Sequence, residues 1–358
     1  MGNFPETRAK PSKPGIRAVA EHVALSPSAV SLALRGSASI PAETRARVQQ
    51  AADLLNYVHK PRRTRERRSF RKYVFAMDDH GDKPVMSNPF YGEVLAGAEM
   101  QCAVSRASLS FCLLRAGASE STLLHSLLRN DMDGILLVGP YPPSLVARIR
   151  RATPAPMVLV DNWFAGCEYD SVMADDFAGG YHITQHLLEL GHARILPLFR
   201  SLAKRPAEAF LERLRGYQTA MRTRQLEALA PVFFPDEPHG PQLIQRIAAL
   251  LRDAPPFTAL FCANDTFALF ALQALELLDR PAPRCVSVTG YDDLVAAQGS
   301  SPTLSTVHNH PREMGAAAVR RLAERLNGDA GPVQHIRLGV SLVARESTRL
   351  LSQHEPLA

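Results

Sequence analysis

From residue 73 onward the chain alternates short apolar runs with amphipathic stretches, and this rhythm leaves few folds open to it. YVFAM (73–77), SLSFCLL (108–114), GILLVG (134–139), MVLVD (157–161), ARILPLF (193–199), TALFCAND (258–265) and CVSVTGYDD (285–293) have the length and composition of buried strands. Between them GEVLAGAEMQCAV, DFAGGYHITQHLLELG and TFALFALQALELL carry apolar residues at helical spacing. Strands joined through helices run parallel, so the expectation is a parallel α/β body. A chain of 358 residues exceeds one ordinary core, which implies two or three domains. No apolar run approaches the roughly 20 residues of a membrane span. The five cysteines (Cys102, Cys112, Cys167, Cys262, Cys285) are scattered without a CxxC pair, as reduced, mostly buried thiols of a cytosolic protein would be.

Several strand candidates end in polar residues: Asp161, Asn264 with Asp265, and Asp292 with Asp293. Parallel sheets bind ligands beyond the carboxyl ends of their strands, so these are candidate recognition groups. Each also has an ordinary role as a helix N-cap, most natural for Asp265 and Asp293, which precede helical runs. His182 and His186 stand four apart in YHITQH, but no HExxH accompanies them. They read as helix-surface side chains, and no metal or cofactor is expected.

The first 72 residues have a different texture. They hold 15 Lys and Arg against 5 Asp and Glu, while the rest of the chain is slightly acidic. A basic front on an acidic body points to a polyanion held by the front. Residues 1–14 read as a disordered tail without the apolar core of a secretory signal. Three short helices follow between 15 and 56. Ile16, Val19, Ala20 and Val23 mark the first. Ser26 as N-cap with Pro27 at the first helical position opens the second, whose apolar side is Val30, Ala33 and Leu34 and which Gly36 ends. The third, about 42–56, turns Val48, Ala51 and Leu55 inward and has only Pro41 at its N-cap. Three helices with a tight turn between the first two form a helix-turn-helix unit, with double-stranded DNA as the expected partner.

These segments together resemble the lactose-repressor type (LacI/GalR) transcription regulators. The resemblance runs through VAEHVALSPSAVSLALRGS, ETRARVQQAADLLNYV, NPFYGEVLAGAE, DGILLV, HITQHLLELGHARI, FCANDTFALFALQAL, VSVTGYDD, LSTVHNHPREMGAAAVRRL and ARESTR. It implies an all-α helix-turn-helix head (15–58), a basic hinge (59–72) and a two-lobed, periplasmic-binding-protein-like α/β body (73–358). One lobe would take about 73–173 and 303–330, the other about 174–302 and 331–350. The implied function is a homodimer on a palindromic operator, controlled by a small-molecule effector such as a sugar between the lobes, with repression as the expected output. The short LLSQHEPLA end, too short for a heptad helix, fits a dimer rather than a tetramer.

By the same resemblance Ser26, Pro27, Ser28, Ala29, Ser31, Leu32, Arg35, Tyr57, Arg62, Arg63 and Arg65 would contact DNA. Phe90, Tyr91, Asp161, Trp163, Arg213, Asn264 and Asp292 would contact the effector, the first two as an apolar wall. Three departures stand out. Leu32 replaces a frequent arginine, exchanging a guanine contact for packing on a thymine methyl. Glu66 falls where members carry a leucine that wedges into the minor groove, which argues against kinking of DNA by this hinge. The stretch 195–212 lacks the glycine pair that members often show after this strand. Competing readings are a solute-binding protein, which would not carry residues 15–72, and a glycosidase using Asp161 and Asp292, whose separation no sequence fixes.

Overall fold

The computed structural model describes residues 16–34, 37, 40–55, 57, 70–78, 89–114, 119–129, 131–200, 208–234 and 241–352. The expected tail, most of the basic hinge, Gly36, Arg35, Arg62, Arg63, Arg65 and Glu66 lie outside them. The chain divides into two compact units, one up to residue 69 and one from residue 70.

The first unit contains α1 (Ile16–Val23), α2 (Pro27–Leu34) and α3 (Ala42–Leu54). Its core is Val19, Ala20, Val23, Val30, Ala33, Val48, Ala51 and Ala52, so the apolar spacings of the three helices converge as the sequence implies. The turn after α1 is made by Ala24 at φ 56°, which lets the Leu25 amide reach back to the Ala20 carbonyl at 3.0 Å. Ser26 then caps α2, its Oγ accepting from the Ala29 amide at 3.2 Å. At α3 the N-cap is Pro41, with no side-chain bond.

The second unit opens with β1 (Arg71–Asp78), α4 (Pro89–Val104), β2 (Ala107–Leu114), α5 (Glu120–Leu128), β3 (Gly134–Val138), α6 (Pro143–Ala152), β4 (Met157–Val160) and β5 (Asp170–Ala174). There follow α7 (Asp176–Glu189), β6 (Ile195–Arg200), α8 (Glu208–Thr223), β7 (Val232–Phe234), α9 (Pro241–Arg252), β8 (Ala259–Cys262), α10 (Asp265–Leu277) and β9 (Ser287–Thr289). The last elements are α11 (Val295–Gln298), β10 (Thr306–His308), α12 (Pro311–Leu326), β11 (His335–Leu338) and β12 (Ser341–Val343). They build two lobes. Lobe 1 has a parallel sheet of order β11-β5-β4-β3-β1-β2, lobe 2 a parallel sheet of order β7-β6-β8-β9, and β10 pairs antiparallel with β12.

The uninterrupted apolar strands are explained by two-sided burial. Along β1, Tyr73, Phe75 and Met77 face one core and Val74 and Ala76 the other. Along β8, Leu260 and Cys262 divide in the same way from Ala259 and Phe261. Each lobe also has one close helix crossing. A Cβ at Gly97 or Gly315 would overlap the facing backbone where α4 meets α12, and one at Gly180 or Gly216 would do so where α7 meets α8. The α7–α8 crossing fixes where α8 carries Arg213 into the space between the lobes.

Three boundaries differ from the sequence reading. The hinge expected over 59–72 ends earlier, because Arg71 and Lys72 already pair with Ala107 and Ser108 in the sheet. Residues 335–338, expected in lobe 2, form an edge strand of lobe 1 alongside β5. Residues 305–308, expected in lobe 1, bridge to Thr289 of lobe 2 and pair with β12. Both misassigned strands are short and mix polar with apolar residues, so no apolar run marks them. The chain passes between the lobes at 174–176, 308–311 and 338–341. Among the described residues no helix is long and apolar enough to cross a membrane.

Candidate functional site

Between the lobes lies a cleft enclosing about 580 Å³, its mouth included, and all seven anticipated effector residues line it. Lobe 1 supplies Phe90 and Tyr91 from the first turn of α4, and Asp161 and Trp163 from just beyond β4. The two rings of Phe90 and Tyr91 meet edge to face at 5.0 Å. Tyr91 is more than a wall, since its hydroxyl donates to Asp161 Oδ2 at 2.8 Å. Asp161 sits at φ 52°, a left-handed conformation that aspartate tolerates better than most residues. Trp163 lies edge-on to His335 at 6.4 Å, with the Arg337 guanidinium 5.8 Å from its ring.

Lobe 2 answers with Arg213 from α8, Asn264 at the start of α10 and Asp292 beyond β9. Arg213 is the hub. Its Nε donates to Asp176 Oδ1 at 2.8 Å, one terminal nitrogen donates to the Ala263 carbonyl at 2.7 Å, and the other lies 3.8 Å from Asp292 Oδ1. The guanidinium also stacks 3.6 Å from the Tyr291 ring centroid. Asp292 is held at φ 112°, outside the region any non-glycine residue adopts comfortably. That conformation is locked from behind. Asp292 Oδ1 accepts from Asn309 Nδ2 at 2.9 Å, and its amide donates to the Val307 carbonyl at 2.9 Å.

The N-cap reading falls on a different residue than the sequence suggested. Asn264 caps α10, with Oδ1 accepting from the Phe267 amide at 3.0 Å, which leaves its NH2 group for other partners. Asp265 instead accepts from the Leu294 amide at 2.8 Å and from the Thr306 hydroxyl at 2.5 Å, bracing the loop that bears Asp292. Asp293 caps no helix; it pairs with Arg345 and lies 3.1 Å from His308 Nδ1. His186 bonds to Thr348 at 3.1 Å, and among the described residues no His, Cys, Asp and Glu cluster is set for a metal.

Three carboxylates gather here around one arginine. Burial pushes Asp161 up to about 7, with nearby Asp176 adding to the effect. Burial likewise raises Asp292 well above the carboxylate range despite Arg213, and raises Asp176. Although burial opposes its charge, Asp176 and Asp292 hold Arg213 more firmly protonated than usual. The site is rich in acceptors that want a proton or a donor.

The sequence reading missed Pro140, Asn162, Met173, Glu208, Ala209 and Phe210, which complete the lining. Met173 is on β5, which is not among the strand candidates of the sequence. Glu208, Ala209 and Phe210 come from the stretch lacking the glycine pair, where the start of α8 supplies the wall.

In the head, Ser26, Pro27, Ser28 and Leu32 are exposed, and Ala29 and Ser31 are half-buried. Ser28 and Leu32, one turn apart, share the outward side of α2 while Val30 and Ala33 fill the core. The Ser26 hydroxyl is engaged as the cap. Tyr57 packs partly against the head core.

A helix-turn-helix head joined to a two-lobed body with a polar interlobe cleft defines a ligand-responsive, DNA-binding regulator. A periplasmic binding protein-like domain matches residues 184–348. The ribose operon repressor of Haemophilus influenzae is 30% identical over 92% of this chain and 97% of its own length. A complex of the transcriptional regulator CelR with cellobiose is 25% identical, with TM-score 0.69 over 93% of this chain and 99% of that one. A lac repressor dimer bound to operator and the anti-inducer ONPF, 23% identical, shares the fold at TM-score 0.67 over 94% of this chain and 100% of that one. The chain belongs to the lactose-repressor (LacI/GalR) family of bacterial transcription regulators. It is a DNA-binding transcriptional regulator, not an enzyme.

Proposed function

We propose that this regulator is a cytoplasmic, homodimeric repressor of a palindromic operator, controlled by a sugar or sugar derivative bound between the lobes. The observation that carries this reading is the convergence of Asp161, Arg213, Asn264 and Asp292 with Phe90, Tyr91 and Trp163 on one cleft. Carboxylates accept hydroxyl protons, Arg213 and the Asn264 amide donate to ligand oxygens, and aromatic rings cover the apolar face of a pyranose or furanose. Burial already disfavours charge on Asp161, Asp176 and Asp292, so the cleft suits a neutral, hydroxyl-bearing effector better than a permanently anionic one. The relatives named for ribose and cellobiose support the same class.

For DNA, the exposed Pro27, Ser28 and Leu32 of α2 read bases, with Ser26, Ala29, Ser31, Arg35 and Tyr57 around them and Arg62, Arg63 and Arg65 on phosphates. Two-fold symmetry doubles this small reading surface. The exposed Met100 and Val104 on α4 support a dimer contact through the body. An effector that binds one lobe arrangement more tightly shifts the population towards it and thereby changes operator affinity.

The test is a thermal-shift screen with D-ribose, cellobiose, other sugars, polyols and nucleobases. A sugar is expected to raise the Tm of the wild type and not of Asp292→Ala. A shift by nucleobases alone would overturn the assignment of the effector class.

A further inference from the structure

Asn162 belongs to neither the anticipated site nor the core. It follows Asp161 beyond β4, lines the cleft, and is only 7% exposed. Its Nδ2 donor is buried and has no hydrogen-bond partner among the described residues. A buried amide donor left unpaired costs stability, so such groups are rare in folded proteins unless something outside the chain satisfies them. The lining around it explains what that partner must be. Arg213 has two of its nitrogens committed to Asp176 and Ala263. Asp161 and Asp292 accept only, when ionised. A ligand whose hydroxyl protons are taken by these carboxylates still brings lone pairs that need donors.

We propose that Asn162 is a specificity-determining residue of the effector site, whose side-chain amide donates to an acceptor oxygen of the effector. Asp161 and Asn162, adjacent in sequence, then form an acceptor–donor pair that takes a hydroxyl proton and an oxygen lone pair from the same ligand. The inference rests on the reading of the cleft as the effector site, and it adds a donor that the family resemblance does not assign. It also makes Asn162 a residue held at a cost to the free protein.

That cost supplies a test independent of effector identity. Asn162→Leu, which keeps a branched side chain of four heavy atoms, removes an unsatisfied donor, so the Tm of the ligand-free protein is expected to rise by about 2 °C. A fall of that size would mean the amide is bonded within the protein, and would overturn the proposal. The second measurement is calorimetric titration with D-ribose and with cellobiose as probes. Whichever sugar binds the wild type is expected to bind Asn162→Leu and the smaller Asn162→Ala at least tenfold more weakly. Unchanged affinity in both variants would refute the role. If neither sugar binds the wild type, the sugar-effector reading fails for these probes, and the Tm comparison still decides whether Asn162 is a structural amide.

Discussion

Arg213 is the side chain on which the cleft depends most, and removing it separates its structural role from its recognition role. Its side chain is 5% exposed and that of Asp176 only 1%, with a 2.8 Å hydrogen bond between them. In Arg213→Ala the Asp176 carboxyl loses its hydrogen-bonded cation while remaining buried, and the Ala263 carbonyl loses a donor. Breaking a buried pair from one side costs about 3–5 kcal/mol. For a body of this size that corresponds to a fall in Tm of about 6–20 °C. Replacing both members, Arg213→Met with Asp176→Leu, removes the stranded charge, and paired replacements of this kind are about neutral. The double variant should therefore regain most of the lost stability yet stay deaf to effector, because the donor facing Asp292 is gone. Urea and thermal denaturation at pH 7 measure the first quantity, and effector titration the second. A single variant within about 0.5 kcal/mol of wild type, the scale of an ordinary surface change, would show that the buried pair does not hold the site. A double variant with full effector affinity would remove Arg213 from the recognition set.

Three further outcomes follow from the same structure. Because burial lifts the folded-state value for Asp161 to about 7 from the ordinary 3.8, the folded protein holds this proton more tightly than the unfolded chain. Stability should therefore be greatest below about pH 4 for this group and decline towards pH 7; Asp161→Asn should lack that decline, and effector affinity in the wild type should strengthen between pH 6 and 8 as the accepting carboxylate forms. Leu32→Ala should weaken specific DNA binding by roughly 1 kcal/mol per half-site, and Leu32→Arg should turn the preference towards guanine; selection from random DNA that returns one consensus for all three proteins would show that Leu32 reads nothing. Replacing Arg62, Arg63 and Arg65 with Ala should flatten the salt dependence of DNA affinity, by about 0.9 in log–log slope for each phosphate no longer neutralised, and an unaltered slope would take those arginines off the backbone.

The parts of this molecule that were legible in its sequence are those where one physical signal dominates. Two-sided burial wrote β1, β3, β4 and β8 as continuous apolar runs, and the helical spacing of Ile16, Val19, Ala20 and Val23, with the apolar sides of the next two helices, wrote the head. Polar residues at strand ends marked Asp161, Asn264 and Asp292, and the family motifs added Phe90, Tyr91, Trp163 and Arg213. What escaped lacked a signal of its own. Strand β11 alternates the exposed His335 and Arg337 with the half-buried Ile336 and Leu338, so no continuous apolar run marks it, and its place beside β5 shows only in the three-dimensional pairing. Asn162 is one more polar residue after a strand until its burial is known. The cap of α10 fell on Asn264 rather than Asp265, because Thr306 and the Leu294 amide, distant in sequence, claim Asp265 instead.

Operator binding in the presence and absence of effector tests the central claim most directly. A fluorescent duplex carrying the sequence selected by the wild type is titrated with protein, alone and with a saturating sugar identified by thermal shift. Wild type is expected to change its operator affinity at least about fivefold on adding the sugar, the lower end of ordinary allosteric coupling, while Asp292→Ala keeps its sugar-free affinity and does not respond. A sugar that binds the cleft yet leaves the operator affinity of the wild type unchanged would contradict the account.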